Sequence, residues 1–508
     1  MKQFFVHRKI EIIKVTFFSI ILAAAIVGNS IILRIVVNAT KVDNVQKYLF
    51  LSFDVFIFFL VEALVYYHQQ SSIKILSLQL GYDVREQLAV RISKLPPYLL
   101  EEKKSEKYLT LLTTQNDLLI DSYFYKIFWG GYLLIQFIFA VLVSFAVNFL
   151  LSIFVVLLIV PQLIIPFIGK IKLENNKNLV LQNNENYMKE GQEFLEGEKI
   201  WKNFAQEKRF IAKFHDSNYR LLENQIHEKR FSYKIITLND LFSNLLYFGI
   251  WVIGGYFIII AHLTMGELVA FTQLVVAISF PMYSATSIIT DFLGGRKVAQ
   301  KFKNEIEFSE NAEEIKKASQ DIAAYLTDIT VKFSNKTLFE HFSFKFEKSK
   351  RYLIIGESGH GKTTLFKLIF DEIKNEKGSV EIGTNIGYVP QQSYVFQGTL
   401  EQNITLFASE IDFEKLSQAI KISELTIKRD VQVGNNTLSG GEKQRLSLAR
   451  ALYADYDYLF IDELTSSLDQ NSRQKIEENL LNIKVNFAYI SHHYNQKLSS
   501  KFDEIIEL

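Results

Sequence analysis

Long apolar runs dominate the first 300 residues of the chain. A helix needs about 20 consecutive apolar residues to cross a bilayer. Six stretches reach that length: Val15–Val37, Tyr48–Tyr67, Ile127–Val147, Phe149–Ile168, Leu241–Ile260 and Leu268–Ile289. The pattern predicts an all-α polytopic membrane domain with six transmembrane helices.

The distribution of Lys and Arg predicts the orientation of these spans. The N-terminal segment and the long polar stretches 68–126 and 169–240 carry 25 Lys and Arg, whereas the short connections carry only two. Cytoplasmic segments are enriched in these residues. We therefore expect a multi-pass protein of the cytoplasmic membrane whose N-terminus and long stretches lie in the cytoplasm.

Both long stretches have apolar residues at helical spacing, for example Leu88, Ile92, Leu95 and Leu99 in the first. This spacing predicts cytoplasmic extensions that continue the membrane helices as long rods.

The composition and the predicted secondary structure of the chain change near residue 320. Residues 296–320 are polar and rich in helix formers, which predicts a charged linker helix. Beyond them, short β-rich runs alternate with helical segments: Tyr352–Ile355, Ile386–Val389, Tyr458–Ile461 and Phe487–Ile490. We expect a membrane domain over 1–295, a linker over 296–320 and an α/β domain over 321–508.

The amino-acid composition excludes several classes of protein and of functional site. Hydrophobic residues make up 49% of the chain and charged residues 22%, which is too apolar for an ordinary soluble enzyme. A net charge of +1 gives no electrostatic reason to expect a nucleic-acid partner. The absence of cysteine excludes disulfide scaffolds, thiolate metal sites and cysteine nucleophiles.

A phosphate-binding loop follows the first of the β-rich runs quoted above. The sequence Gly356-Glu357-Ser358-Gly359-His360-Gly361-Lys362-Thr363, followed by Thr364, fits the P-loop pattern between a strand and a helix. Backbone N–H groups cradle phosphates in such a loop, Lys362 reaches the β and γ oxygens, and Thr363 ligates Mg²⁺. A plain glycine-rich turn is the less favoured alternative. The pattern predicts an ATP site of the P-loop NTPase class.

A second strand, Tyr458–Ile461, ends in the acids Asp462 and Glu463. This is the arrangement of a Walker B strand, in which Asp462 holds Mg²⁺ and Glu463 acts as general base or orients the attacking water. Paired acids also occur as solvated strand ends, but the nearby P-loop favours the catalytic interpretation.

One further motif indicates which kind of P-loop NTPase this is. It precedes that strand and reads Leu438-Ser439-Gly440-Gly441-Glu442. Here the sequence resembles the ATP-binding cassette (ABC) transporter family, whose signature motif has this form. The resemblance implies that Ser439 and the glycines open a helix whose N-terminus contacts the γ-phosphate of a nucleotide held by another cassette.

Other motifs carry over from the same resemblance. It implies that Gln391 is the Q-loop residue contacting Mg²⁺ and water, and that His492, rather than the adjacent His493, contacts the γ-phosphate. It also makes Phe333 the adenine-stacking aromatic, with an ordinary core role as the alternative. The remaining motif resembles the D-loop and consists of Ser467, Leu468 and Asp469.

Six spans ahead of one cassette resemble the half-transporter arrangement of ABC exporters. Residues 263–271 look like the external turn between spans five and six, and 84–114 and 193–204 look like the two coupling segments. Two departures stand out: Gln432 replaces an acid that exporters often carry, and the cassette looks shorter than usual on both sides of Gln391.

Three charged residues lie within the predicted spans. Arg34 and Asp54 lie at similar depth near the outer ends of the first two spans, which favours an ion pair between them. Glu62 lies nearer the cytoplasmic half and either faces a cavity, where it selects cationic or polar cargo, or occupies a snorkelling or helix-extension position.

The resemblance implies ATP-driven export of an amphipathic substrate, either a peptide or hydrophobic small molecule or a lipid, by alternating access. A second half-transporter is implied, in a homodimer or heterodimer, because the P-loop and signature of one site come from different chains. The competing function is an ABC-type ATPase that gates or regulates a membrane partner without pumping. Mg²⁺ and ATP are the expected ligands, and no nucleic acid is expected.

Overall fold

A computed structural model describes residues 2–40, 45–102, 105–260, 262–307, 316–317, 319–333, 336–357, 359–464, 470–491 and 499–508. Two compact units share the chain. The first contains Met1–Ser93 and Glu106–Phe308, and the second contains Lys94–Ser105 and Ser309–Leu508.

The first unit is helical, as predicted. Its helices are α1 (Lys2–His7), α2 (Lys9–Ala39), α3 (Val45–Ile92), α5 (Ser105–Leu112), α6 (Thr114–Leu118), α7 (Tyr125–Val147), α8 (Phe149–Glu196), α9 (Glu198–Asn203), α10 (Glu207–Ile259) and α11 (Met265–Glu307). A short helix α4 (Pro97–Glu102) belongs to the second unit. The lengths of α3 and α10 confirm that membrane helices continue into the polar stretches as rods, and α8 extends through its polar stretch to Glu196.

Within the described part of the chain, five helical stretches are long and apolar enough to cross a membrane: Lys9–Ala39, Val45–Ile92, Lys107–Val147, Glu207–Ile259 and Met265–Glu307. The start of α8, Phe149–Gln162, is a shorter apolar helix. Five of the six predicted spans are therefore found at full length, and the fourth span remains a prediction.

The first polar stretch is not one continuous rod. Its apolar spacing predicts a single helix through Leu88, Ile92, Leu95 and Leu99, but α3 ends at Ile92 and α4 begins at Pro97. Pro96 and Pro97 explain this correction, because a proline disfavours helical geometry in the residue before it and lacks a backbone donor.

A π-helical turn over Leu119–Phe124 joins α6 to α7. Helix α11 approaches this turn at Gly295, where a Cβ atom placed on the backbone lies 2.5 Å from the carbonyl carbon of Ser122 and 2.7 Å from the amide nitrogen of Tyr123. Only glycine fits this backbone contact.

The predicted ion pair between Arg34 and Asp54 is wrong. The Arg34 guanidinium lies 2.8 Å from Glu267 on α11, and Asp54 is exposed. Glu267 also accepts hydrogen bonds from the backbone amide and hydroxyl of Thr264, so its carboxylate is held at the start of α11 facing α2.

The second unit is an α/β domain. Its strands are β1 (Lys316–Lys317), β2 (Ile322–Phe333), β3 (Lys336–Glu347), β4 (Tyr352–Ile355), β5 (Lys377–Ile382), β6 (Ile386–Val389), β7 (Gly398–Thr399), β8 (Gln432–Val433), β9 (Tyr458–Asp462), β10 (Asn486–Ile490) and β11 (Glu504–Glu507). Its further helices are α12 (Lys362–Ile369), α13 (Leu400–Thr405), α14 (Phe413–Ile422), α15 (Gly440–Tyr453) and α16 (Gln470–Leu481). All four strands expected from the β-rich runs are present.

A five-stranded parallel sheet with the order β11-β4-β10-β9-β6 forms the centre of this unit. Successive side chains along each strand point to opposite faces of the sheet. Tyr352 and Phe460 pack on the face toward the β1-β5-β2-β3 sheet. Leu353 and Ile461 pack on the other face, toward the helices. Because the strands are parallel, their carboxyl ends meet at one edge, and the loops after β4, β6, β9 and β10 lie together there.

The segment Lys94–Ser105 groups with the second unit although it precedes most of the membrane helices in sequence. The backbone amide of Tyr98 donates to the carbonyl oxygen of Asp371 at 3.0 Å, and the Lys374 ammonium lies 5.5 Å from the centre of the Tyr98 ring. This contact lies within the range 84–114 that the sequence predicts as a coupling segment.

Candidate active site

The loop between β4 and α12 has the conformation of a phosphate cradle. Gly359 and Gly361 have φ angles of +87° and +97°, a region that favours glycine. A Cβ atom on Gly361 meets the Phe339 ring at 2.8 Å, so the loop is also packed too closely for a side chain there. Gly361 is the N-cap of α12, whose first backbone N–H groups therefore face the loop interior.

The lysine of the loop is buried and folded back on it. Lys362 Nζ donates to the carbonyl oxygens of Gly356 at 2.8 Å and Glu357 at 2.9 Å. The phosphate oxygens of a bound nucleotide would compete with these two carbonyl oxygens for the Lys362 ammonium. Of the other predicted loop residues, Glu357, Gly359 and His360 are exposed, whereas Thr363 and Thr364 are half-buried.

Asp462, the last residue of β9, is fully buried beside the loop. Its carboxylate accepts a hydrogen bond from the Thr363 hydroxyl at 3.2 Å and another from the Tyr388 hydroxyl at 3.4 Å. Burial raises the pKa of Asp462 to about 6, against the hydroxyl hydrogen bonds that lower it. Burial also raises the pKa of the Tyr388 hydroxyl, which therefore stays a donor to Asp462.

Glu463 follows directly with a φ angle of +45°, which is uncommon for a residue with a side chain. Its amide donates to the Ile490 carbonyl at 3.2 Å, which ties it to the end of β10. The Gln391 amide donates to its carboxylate at 2.6 Å. The strained backbone and this hydrogen bond fix the direction of the Glu463 side chain, as expected for a residue with a positional role.

The signature motif opens α15 with a capping box. The Ser439 hydroxyl and backbone amide donate to the Glu442 carboxylate at 2.7 and 2.8 Å, and the Glu442 amide donates back to the hydroxyl. These two donors lower the pKa of Glu442. Leu438 is buried beneath the turn, whereas Ser439 and Gly440 are exposed, so the start of α15 is open to a ligand.

Some predicted site residues lie outside the described residues. These are Ser358, Ser467, Leu468, Asp469 and His492, together with the side chain of Phe333. Gln432, by contrast, lies in the short strand β8 and is exposed.

Three residues with structural roles in this unit were missed from the sequence, and two of them, Tyr388 and Gln444, contact site residues. Tyr388 contacts Asp462, and the Gln444 amide donates to the backbone carbonyls of Glu463 at 3.3 Å and Gln391 at 3.5 Å. Arg450 donates to the backbone carbonyls of Asn403 at 2.7 Å and Tyr394 at 2.6 Å. Gln444 lies on the helix that begins at the signature motif, so its position in the sequence could have predicted a role near the site. The roles of Tyr388 and Arg450 follow only from the packing.

The residues around Asp462 fit a divalent cation. Its carboxylate is buried, has a hydroxyl ligand in Thr363 at its side, and forms no ion pair with any Lys or Arg that the structure describes. Oxygen ligands of this kind suit Mg²⁺, which also takes ligands from a bound nucleotide. Gln391, predicted to contact Mg²⁺, donates to Glu463 in this structure.

Comparisons with known proteins agree with these motifs. The family model for the ABC transporter transmembrane region matches residues 12–282, more than half of the chain, and the ABC transporter model matches residues 339–466. A bacterial Atm1-family ABC exporter with ATP bound has a similar structure, with a TM-score of 0.84 at 17% identity over 99% of this chain and 93% of that one. This likeness shows the fold.

Three curated relatives illustrate the range of similar proteins. The ATP-dependent permease MDL1 of Candida albicans is 25% identical over 65% of this chain and 52% of its own length. The lactococcin-A transport/processing ATP-binding protein LcnC of Lactococcus lactis is 30% identical over 47% of this chain and 37% of its own length. The ATP-dependent lipid A-core flippase of Desulfotalea psychrophila is 28% identical over 69% of this chain and 66% of its own length. The chain thus spans about half or less of the first two relatives.

Proposed function

Because this chain belongs to the ABC transporter family, we propose that it is one half of an ATP-driven exporter of an amphipathic compound. One observation carries the proposal. The P-loop, Asp462 and Glu463 meet at the carboxyl edge of one parallel sheet, and the described part of the same chain contains five helices long and apolar enough to cross a membrane. A site built to hydrolyse ATP on a membrane-spanning chain fits a pump.

The hydrolytic chemistry follows from the geometry. Backbone amides of the P-loop and the Lys362 ammonium bind the phosphates, and Lys362 exchanges its two carbonyl partners for phosphate oxygens. Glu463, held by Gln391, orients the attacking water and accepts its proton. Thr363 and Asp462, with Gln391 nearby, would hold Mg²⁺, which would supply positive charge to the phosphates when bound.

A second half-transporter completes each site. The exposed N-terminus of α15, with Ser439 and Gly440, suits the γ-phosphate held by a partner cassette. We assign the D-loop residues 467–469 to communication across that pair and His492 to the γ-phosphate. ATP binds the closed pair better than the open one, which is the free-energy source for alternating access.

The domain division and the location belong to the same proposal. The membrane domain extends over 1–295, the linker over 296–320 and the cassette over 321–508, although α11 continues through the first of these boundaries to Glu307. The distribution of Lys and Arg places the cassette in the cytoplasm, at the cytoplasmic membrane.

The cargo is proposed only as a class. Some relatives carry names of peptide transport/processing proteins, and one is named a lipid A-core flippase. We rank a peptide or hydrophobic small molecule ahead of a lipid.

The test is ATP hydrolysis by the purified chain in lipid nanodiscs, with mass photometry of the same sample. We expect a dimer whose turnover falls by about 100-fold or more in Glu463→Gln, while ATP binding is retained. Turnover that is unchanged in Glu463→Gln refutes the assigned chemistry. A monomer, or an inactive dimer, indicates that a different partner half is required.

Transport is tested separately, in inverted vesicles with a panel of peptides, drugs and lipids. ATP-dependent uptake of one class, lost in Glu463→Gln, supports the pump. Full ATP turnover with no uptake of any class favours the competing function, in which the ATPase gates or regulates a membrane partner.

A further inference from the structure

A large basic cavity lies between α8 and α10 in the first unit. Its volume is about 1620 Å³. The described residues that line it include five cations, namely Lys172, Lys177, Lys229, Arg230 and Lys234, and a single acid, Glu228. A cavity with this excess of positive charge attracts anions.

The acid does not cancel this charge. Glu228 is buried, accepts a hydrogen bond from the Ser232 hydroxyl at 3.4 Å and lies 3.4 Å from the Lys229 ammonium. Lys177 lies 3.7 Å from Asp291 on α11. Within the described part of the chain, Lys172, Arg230 and Lys234 form no ion pair, so three cations of the cavity remain for a ligand.

The membrane end of the cavity, at Lys172, Lys234 and Leu238, lies near the depth of the inner lipid head groups, whereas its other end extends to Leu222, about 28 Å before the apolar run of α10. The predicted apolar run of α8 ends at Ile168, so Lys172 is about 6 Å beyond it along the helix. The apolar run of α10 begins at Leu241, and Lys234 is about 10 Å before it. The head-group layer is about 5–8 Å thick on each side of the hydrocarbon core, so Lys172 lies within this layer and Lys234 just below it.

The lining is amphipathic. Leu238, which is 48% exposed, lies between Lys234 and the apolar run of α10, whereas Leu179 and Leu222 line the end of the cavity farther from the membrane. The Lys172 ammonium lies 4.9 Å from the centre of the Phe231 ring, which holds its charge beside an apolar surface. An inorganic anion uses only the cations of such a site, whereas a phospholipid uses both surfaces.

We propose that this cavity binds an anionic phospholipid of the inner leaflet, with its phosphate at Lys172 and Lys234, its polar head group extending toward Arg230, and its glycerol and upper acyl groups directed toward the membrane past Leu238. Basic pockets between membrane helices on the cytoplasmic side recognise such head groups. The proposal concerns a resident lipid and does not depend on the identity of the cargo.

The first test is lipid retention measured by native mass spectrometry of the full chain. Phosphatidylglycerol and phosphatidylcholine with the same acyl chains are titrated at equal concentration. We expect preferential retention of phosphatidylglycerol, and an apparent affinity at least about tenfold weaker in the triple variant Lys172→Gln, Arg230→Gln, Lys234→Gln. The control Lys199→Gln, Lys208→Gln, Arg209→Gln removes the same charge from exposed positions outside the cavity and keeps the lipid.

Equal retention of the two lipids, or equal loss in both triple variants, overturns the proposal. Displacement of phosphatidylglycerol by inorganic phosphate at millimolar concentration also overturns it, because the site then recognises a free anion. A changed dimer fraction of the cavity variant in mass photometry, with unchanged lipid retention, assigns the cavity to a subunit interface instead.

The second test locates the lipid without changing the cations. The chain has no cysteine, so Thr237→Cys places a single thiol at the membrane end of the cavity and Glu223→Cys places one on the same helix outside it. Phosphatidylglycerol is expected to slow maleimide labelling at position 237 several-fold and to leave position 223 unchanged. Equal rates at position 237 with and without phosphatidylglycerol contradict the proposed location.

Discussion

Asp462 illustrates how one buried carboxylate couples nucleotide binding to pH. Burial raises its pKa to about 6, above the ordinary 3.8. In the nucleotide-free chain the folded state therefore favours the protonated acid. The stabilisation that this group contributes is present below pH 3.8 and is lost as the pH rises through 6.

The same shift predicts a competition between a proton and Mg²⁺. Below pH 6 the ion must displace the proton of Asp462, so we expect the apparent affinity for Mg²⁺ to fall about tenfold for each pH unit. The measurement is ATP hydrolysis against Mg²⁺ concentration at pH 5, 6 and 7. A half-saturating Mg²⁺ concentration that is equal at pH 5 and pH 7 contradicts the assignment of Asp462 as a ligand.

Arg450 stabilises the cassette through hydrogen bonds rather than through an ion pair. It donates to two backbone carbonyls and, at 2.8 Å, to the side-chain oxygen of Asn403, and its guanidinium lies 5.6 Å from the Phe396 ring centre. Arg450→Ala leaves these acceptors unpaired, so we expect a loss of about 2–4 kcal/mol in the free energy of unfolding.

Thermal unfolding of the purified chain measures this loss. Lys443→Ala removes a cation from the same helix without removing a side-chain hydrogen bond that the structure describes, and is expected to change stability by less than about 0.5 kcal/mol. Equal destabilisation by the two substitutions rules out a specific role for the Arg450 contacts.

At the scale of elements, the contact of α11 with the π-helical turn depends on the absence of a side chain. Gly295→Ala places a Cβ 2.5 Å from the Ser122 backbone, and backbone cannot move aside as a flexible side chain does. We expect a destabilisation of about 1–3 kcal/mol, measured as a lower melting temperature in detergent.

Gly255→Ala on α10 is the matched control, because nothing lies within 4 Å of its Cβ position. It is expected to be neutral or slightly stabilising, since alanine favours a helix over glycine. A melting temperature that falls as far for Gly255→Ala as for Gly295→Ala shows that the loss comes from helix flexibility and not from the close contact.

The sequence predicted the features whose interacting residues are close together along the chain. It missed those whose residues are far apart along the chain. The P-loop and the Walker B acids were found because phosphate chemistry requires fixed residue types over a few adjacent positions. Pro96 and Pro97 were equally local, and they outweigh the apolar periodicity that predicted one long helix.

The pairing of Arg34 was not predictable in the same way. Its partner Glu267 is 233 positions away, and similar depth in the membrane favoured Asp54 instead. Depth does not give the rotation of a helix about its axis, which decides the neighbour that a side chain meets. Arg450 and Tyr388 were missed for the same reason, because their roles exist only after packing.

At the scale of the whole molecule, an exchange of inactive chains tests whether two chains build each site. Lys362→Ala disables the phosphate loop, and Ser439→Arg blocks the start of α15. Dimers that combine one chain of each kind keep one intact site, so a one-to-one mixture is expected to recover roughly a quarter of the wild-type sites. ATP hydrolysis after co-expression measures the recovery.

Mixing Lys362→Ala with the double variant Lys362→Ala, Ser439→Arg leaves no intact site and is expected to recover nothing. If the first mixture forms dimers and is as inactive as this control, the phosphate loop and the signature of one site belong to the same chain.

The short segment Lys94–Ser105 makes the cassette unit discontinuous in sequence, because Tyr98 contacts Asp371 and Lys374 from a position more than 200 residues earlier. A chimaera that receives only residues 309–508 from a relative therefore joins a foreign surface to a native Tyr98. The same constraint applies to natural recombination between genes of related transporters. We therefore expect recombination between related transporters to keep this contact only when residues 94–105 and the surface around 371–374 come from one parent.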